Sequence, residues 1–147
     1  MKPADILKNL IQLSHELGRE DRHLAILGEG NVSADLGDGT FYVKASGSQM
    51  ATIEADGFTR VKMPPIFEAL DHPDKTDDEV RKILESCRVD QKAKLPSVET
   101  FLHALCLKEA GAKYVGHTHP VSVLRILCST LGARPFLRHV FPDEIVV

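Results

Sequence analysis

Tryptophan is absent, and only two tyrosines and six phenylalanines stand among the 147 residues. No basic run and no ladder of alternating aromatic and basic residues occurs. The stacking platforms and cationic surfaces that bind nucleic acid are therefore not provided for, and the formal charge of −3 agrees. No apolar stretch approaches the ~20 residues that a membrane-spanning helix needs. The opening stretch "MKPADILKNLIQLSHELGRE" is amphipathic. It has no continuous apolar segment or small-residue cleavage site, so it does not read as a secretory signal. Cysteine is sparse: Cys87, Cys106 and Cys128 are odd in number, widely spaced and outside any zinc or redox motif. They read as buried thiols of a cytosolic protein. Repeats, low-complexity tracts and long linkers are missing as well. What remains is 43% hydrophobic and 27% charged, the balance of a globular chain, and its length predicts one domain over residues 1–147.

Ile6, Leu7, Leu10, Ile11, Leu13 and Leu17 recur at helical spacing, with Gly18 as the stop. "HLAILGEG" is expected to be a short strand entering a glycine-rich bend. "NVSADLGDGTFYVKASG" predicts a hairpin turning at Gly37-Asp38-Gly39, and "GFTRVKM" a further strand ended by Pro64-Pro65. "IFEALDHP" is brief and helical or irregular. Thr76 and Glu79 have capping-box spacing ahead of a helix in "DDEVRKILESCR". Ser97 is expected to open a helix that stops at Gly111. "AKYVGHTH" predicts a strand, Pro120 the first turn of another helix, and "DEIVV" one more strand. The order implies a mixed, mostly antiparallel sheet with helices on its faces.

Three stretches carry candidate chemistry. In "GHTHP", His117 and His119 lie two positions apart, so in an extended chain their rings share one face. Two such imidazoles suit a divalent metal, and they equally suit a wet strand surface. In "LPSVET", Ser97 and Glu99 have the positions of a helix cap and a dipole-complementing carboxylate. The same features would let Ser97 hold an anion and Glu99 act as a general base. In "GEGN" and "ASG", the backbone at Gly28, Gly30 and Gly47, with Asn31 and Ser46, offers either an anion-holding nest or plain turns. "GEGN" lacks the third glycine of the dinucleotide fingerprint. His103, four residues after Glu99 among apolar neighbours, reads as a core residue or a support to the site. His139 reads as a surface or loop residue.

The order GN, SG after a strand, PSxE opening a helix and HxHP after a strand resembles the class II aldolase/adducin family. The resemblance runs from the first helix to "FPDEIVV". It implies a three-layer α/β/α sandwich around a mostly antiparallel sheet, here expected to be incomplete. It implies a divalent metal, zinc first among the candidates, held by three histidines, of which His117 and His119 match two. Glu99 matches the family's acid/base and a possible contact to the metal. Gly30, Asn31, Ser46, Gly47 and Ser97 match positions that hold a substrate phosphate. The implied reaction is retro-aldol cleavage of a keto-sugar phosphate through a metal-stabilised enediolate. The alternatives are an epimerase or dehydratase of the same fold, or a non-catalytic adducin-like interaction module. A cytoplasmic homo-oligomer, commonly a tetramer, goes with the resemblance, with neither membrane nor nucleic acid as partner.

Two departures stand out. Val98 replaces a serine that many sugar-phosphate aldolases place before the glutamate. The family's third histidine lies downstream of the HxHP motif, and His139 matches it in neither motif nor distance. The chain is therefore expected to be the N-terminal part of a longer enzyme. With two histidines and Glu99 alone, a His₂Glu ligand set is the arrangement open to it.

Overall fold

The structure, a computed structural model, describes residues 2–72, 74–134 and 137. Helix α1 spans Pro3–Leu17, with proline in its first turn and Ile6, Leu10 and Ser14 buried along one face. Gly18 ends it as predicted, for a different reason. Its φ of −82° is ordinary, but a Cβ there would lie 2.4 Å from the backbone nitrogen of Ala51. Close passage of the chain demands glycine at this point.

Four strands follow: β1 (Asn31–Asp35), β2 (Thr40–Lys44), β3 (Phe58–Lys62) and β4 (Tyr114–His117). They form one sheet in the order β3-β2-β1-β4, and every pairing among the described residues is antiparallel. The β1–β2 hairpin turns as expected, with Gly37 and Gly39 both at φ +79°. Side chains alternate across the sheet. Val32 and Ala34 of β1 join Ile6, Leu10, Met50, Ile53 and Phe58 on the α1 face. Phe41 and Val43 of β2 and Val61 of β3 join Ile66, Cys87, Ala104 and Leu107 on the other. Helices α2 (Met63–Leu70) and α4 (Thr100–Glu109) cover that second face, with α3 (Asp77–Ser86) against α2. The three-layer reading holds.

Four expectations change. "HLAILGEG" forms no strand. Leu27 adopts φ +53°, and Glu29 N–H donates to the Ile26 carbonyl in a turn. The preceding carbonyls of His23 and Leu24 instead accept from Val121 and His119, tying this segment to the chain beyond β4. Pro64 and Pro65 do not merely end β3, because they fill the first turn of α2, where a missing N–H costs nothing. Helix α4 starts at Thr100, three residues after Ser97, and Gly111 follows its end at φ +63°. Only Cys87 is a buried thiol; Cys106 is half-buried and Cys128 exposed.

The capping box of α3 is formed. Glu79 N–H donates to the Thr76 hydroxyl, and Thr76 N–H donates to the Glu79 carboxylate at 2.8 Å. Helix α5 (Val121–Leu127) follows Pro120. His139 and the strand expected in "DEIVV" lie outside the described residues. Among the described residues, no helix is long and apolar enough to cross a membrane.

Candidate metal and acid–base site

The site forms where β4 ends beside the start of α4. Register places His117 directly across from Asn31 of β1, both on the sheet face covered by α4. His119 lies two residues further on, past the strand, its N–H donating to the Leu24 carbonyl at 2.9 Å. The two rings are 4.8 Å apart between centroids and tilted by 35°. The two rings come together as expected, although only His117 belongs to β4.

Glu99 is the residue preceding α4. Packing of Ala104 and Leu107 into the core fixes the helix. A bridge between Ala45 and Pro96, with a bond from Ser97 N–H to the Lys44 carbonyl, fixes the approach to it. The Glu99 carboxylate does not cap its own helix. Its Oε1 lies 3.3 Å from His117 Nδ1 and 3.9 Å from His119 Nε2. Its Oε2 accepts from the Asn31 amide at 2.9 Å and from the Ser97 hydroxyl at 3.3 Å. Burial pushes the carboxyl's pKa up. The Asn31 amide, His117, His103 and the Ser97 hydroxyl outweigh that, leaving it below the ordinary glutamate range.

His103 is fully buried beneath this group, its Nδ1 2.7 Å from the Ser33 hydroxyl and its ring 6.1 Å from that of His117. The supporting role read from its spacing agrees with this position. Of the apolar neighbours expected to enclose it, Leu102 and Leu105 are exposed, so the sheet does the enclosing. Burial, reinforced by His117 and opposed by Glu99, lowers its pKa to about 4. An unfolded histidine takes up its proton near 6.5, so folding stability falls as pH drops from about 6.5 to about 4 and levels off below. The shift corresponds to roughly 3 kcal/mol. His103→Gln keeps an amide for Ser33 and removes the titration. Denaturant unfolding at pH 7 and 4.5 is expected to show a smaller loss for this variant than for the wild type; equal losses refute the assignment.

The donor chemistry suits a divalent cation. Glu99, His117 and His119 each offer one ligand atom, and these atoms lie within 4.8 Å of one another. His117 Nδ1 and His119 Nε2 are buried without a hydrogen-bond partner among the described residues, a costly arrangement unless another group satisfies them. Two imidazoles and a carboxylate are a recognised zinc ligand set.

The residues matched to a phosphate cradle divide. Asn31 and Ser97 converge on Glu99, as described. Gly30 is buried at φ +84°, where a Cβ would lie 3.0 Å from the His117 carbonyl, so glycine lets the bend pass behind the histidine strand. Ser46 and Gly47 are exposed in the bend after β2, with Ser46 N–H donating to the Leu95 carbonyl. Val98 is exposed between two clefts, one shared with Ser46 and one with Glu99.

Three residues escaped the sequence reading. Ser33 shares a face with Asn31 by strand parity, a signal that was present. Lys44 is 3% exposed, its ammonium donating to the carbonyls of Gly28 at 3.1 Å and Ser48 at 2.8 Å. Burial depresses its pKa, while Glu99 and Glu29 oppose that. No pattern in "YVKAS" marks it. Glu29, inside the "GEGN" turn, places Oε2 3.9 Å from His119 Nε2.

A layered α/β fold with two histidines and a glutamate gathered at the sheet's edge defines a candidate metal-dependent enzyme of the aldolase type. The chain belongs to the class II aldolase and adducin family, matching the family's N-terminal domain over residues 8–140. It is 32% identical over 134 residues to a Bacillus subtilis (strain 168) protein described as uncharacterized oxidoreductase YuxG, a match covering 86% of this chain and 19% of that protein. The structure of the N-terminal class II aldolase domain of a conserved Thermoplasma acidophilum protein superposes with a TM-score of 0.74 at 30% identity, covering 88% of this chain and 62% of that one. L-fuculose-1-phosphate aldolase from Thermus thermophilus gives a TM-score of 0.55 at 19% identity, covering 85% and 51%, a likeness of fold. The chain thus spans about a fifth of the curated relative and 62% or less of these solved structures.

Proposed function

We propose that this chain carries the metal-and-carboxylate part of an aldehyde-lyase that cleaves a keto-sugar phosphate by a retro-aldol reaction. One observation carries the reading: a single Glu99 oxygen faces both His117 and His119, whose buried nitrogens make no hydrogen bond among the described residues. His117, His119 and Glu99 would hold the divalent cation, with zinc as first candidate. When bound, such a cation acts as a Lewis acid toward a carbonyl oxygen and stabilises negative charge there.

Asn31 and Ser97 fix Glu99 Oε2, while Oε1 faces the imidazoles and would move a proton only when it is not bound to the cation. In the cleavage direction Oε1 takes the proton of the substrate hydroxyl as the carbon–carbon bond breaks. It then returns the proton to the carbon that becomes part of the ketone product. Gly30, Asn31, Ser46, Gly47 and Ser97 are the proposed phosphate contacts. The Lys44 ammonium, held between carbonyls of both bends, supports an anion at that end.

The name oxidoreductase belongs to a protein of which this chain spans a fifth, and the present sequence has no dinucleotide glycine fingerprint. Unpaired thiols support a cytoplasmic setting, and exposed Val98, Leu102 and Leu105 support assembly into a homo-oligomer. Incubation of the zinc-loaded protein with a panel of keto-sugar phosphates tests the reaction, with release of dihydroxyacetone phosphate as the expected result. Inversion or dehydration of the sugar without cleavage would transfer the site to the epimerase or dehydratase reaction. A protein that takes up no zinc, manganese or cobalt would be the adducin-like binding module.

A further inference from the structure

We propose that the buried pair Ser33 and His103 is a positioning device: it sets how far α4 lies along β1, and so holds Glu99 Oε1 against the imidazoles. The inference rests on the reading of Glu99 above as a metal ligand and acid–base group. Ser33 stands mid-sheet, paired with Val43 of β2 on one side and Val115 of β4 on the other. Val43, Val115, Ala104 and Leu107 belong to the apolar layer between the sheet and α4. Ser33 and His103 are both fully buried in that layer, with Oγ and Nδ1 2.7 Å apart. An apolar pair would fill the same place without the cost of removing two polar groups from water. The polar pair therefore calls for a reason beyond packing.

The spacing supplies one. Asn31 and Ser33 lie two positions apart on β1, on the face covered by α4. Glu99 and His103 lie four apart, joined by the helical bond from His103 N–H to the Glu99 carbonyl at 3.0 Å. Two residues of strand advance about 6.7 Å and four residues of helix about 6 Å. The spacings match closely enough for two side-chain bonds to form in parallel, Asn31 to Glu99 at 2.9 Å and Ser33 to His103.

Contacts among Ala104, Leu107 and the valines are non-directional and tolerate sliding. Two hydrogen-bonded rungs select one register. In that register Glu99 Oε1 lies 3.3 Å from His117 Nδ1, and His117 is itself held opposite Asn31. Asn31 and Ser97 grip only the carboxylate. The Ser33–His103 rung lies about one helical turn further on and stops α4 from pivoting about that grip. A slide of about 1 Å is the scale of misplacement that can cost a reaction about 100-fold.

Ser33→Ala combined with His103→Leu removes both polar partners together, so neither is left buried and unpaired, and denaturant unfolding at pH 7 is expected to stay close to wild type. Cobalt(II) titration of the full chain, read by visible absorption and chelator competition, is expected to show binding about tenfold weaker and an altered absorption band. In a Glu99→Gln background the same two substitutions are expected to change cobalt affinity by less than about twofold, because the group they position is already gone. Equal losses in both backgrounds would overturn the proposal and make the pair a general support of the fold, with the metal site intact. Wild-type affinity and spectrum after removal of the pair would overturn it as well. Wild-type affinity and spectrum in Glu99→Gln itself would overturn both the proposal and the place of Glu99 among the ligands. Ser33→Ala alone, which deletes one oxygen, is read in the same way if the double variant does not fold.

Discussion

His117→Ala and His119→Ala each lose stoichiometric metal binding, with affinity expected to fall at least about 100-fold, beyond the range typical of mutations around a ligand set. Each removes one donor from a set of three, and no other histidine among the described residues reaches the cluster. The fold is expected to survive. Neither ring belongs to the hydrophobic clusters, and the side chains are 28% and 26% exposed. The hydrogen bond from His119 N–H to Leu24 uses the backbone, which alanine preserves. A stability change within about 1 kcal/mol is expected, well below that of a core truncation. Metal analysis after dialysis, with denaturant unfolding of the same samples, checks both halves. Variants that fail to fold would mark the pair as structural, and variants that retain stoichiometric metal would refute the site.

Glu99→Gln is expected to reduce turnover by about 10²–10⁴-fold, the range for loss of a positioned acid or base. The amide is close to isosteric. Its oxygen still accepts from Asn31 and Ser97, so the start of α4 keeps its geometry. What changes is the edge facing the imidazoles, where an NH₂ replaces the basic oxygen. Metal affinity is expected to fall by less than in the histidine variants, because both imidazoles remain. Rates at saturating metal separate the two effects. Undiminished turnover there would remove Glu99 from proton transfer.

Glu99, His117 and His119 come together as a candidate donor set, and short-range geometry governs the part of it that was read. The two-residue spacing predicts one face for His117 and His119, and the bond from His119 N–H to the Leu24 carbonyl holds His119 beside it past the strand end. The proline after them and the helical run of α4 mark their element boundaries. Glu99 was harder. Its local sequence suited a dipole-complementing carboxylate equally well, and only the docking of α4 turns it away from its own helix to the histidines. The failed strand in "HLAILGEG" shows the limit of local propensity. Its apolar residues satisfy a strand pattern, but the turn at Leu27 and the bonds from the chain after β4 claim that segment. Gly30 shows it too, because its close backbone approach to the His117 carbonyl is not visible in the local sequence.

Periodicity, turn chemistry and motif order were enough to establish a layered α/β fold, the hairpin, the capped α3 and the pairing of two histidines, because each depends on neighbours only a few positions away. Tertiary packing alone decided that Asn31 faces His117 across two strands, that Ser33 meets His103, that Lys44 is buried under two bends and that Glu29 stands beside His119. Most of those contacts join residues tens of positions apart. Their distances follow from how α4 and β4 are pressed against one sheet, a result of burying apolar surface that no local pattern encodes.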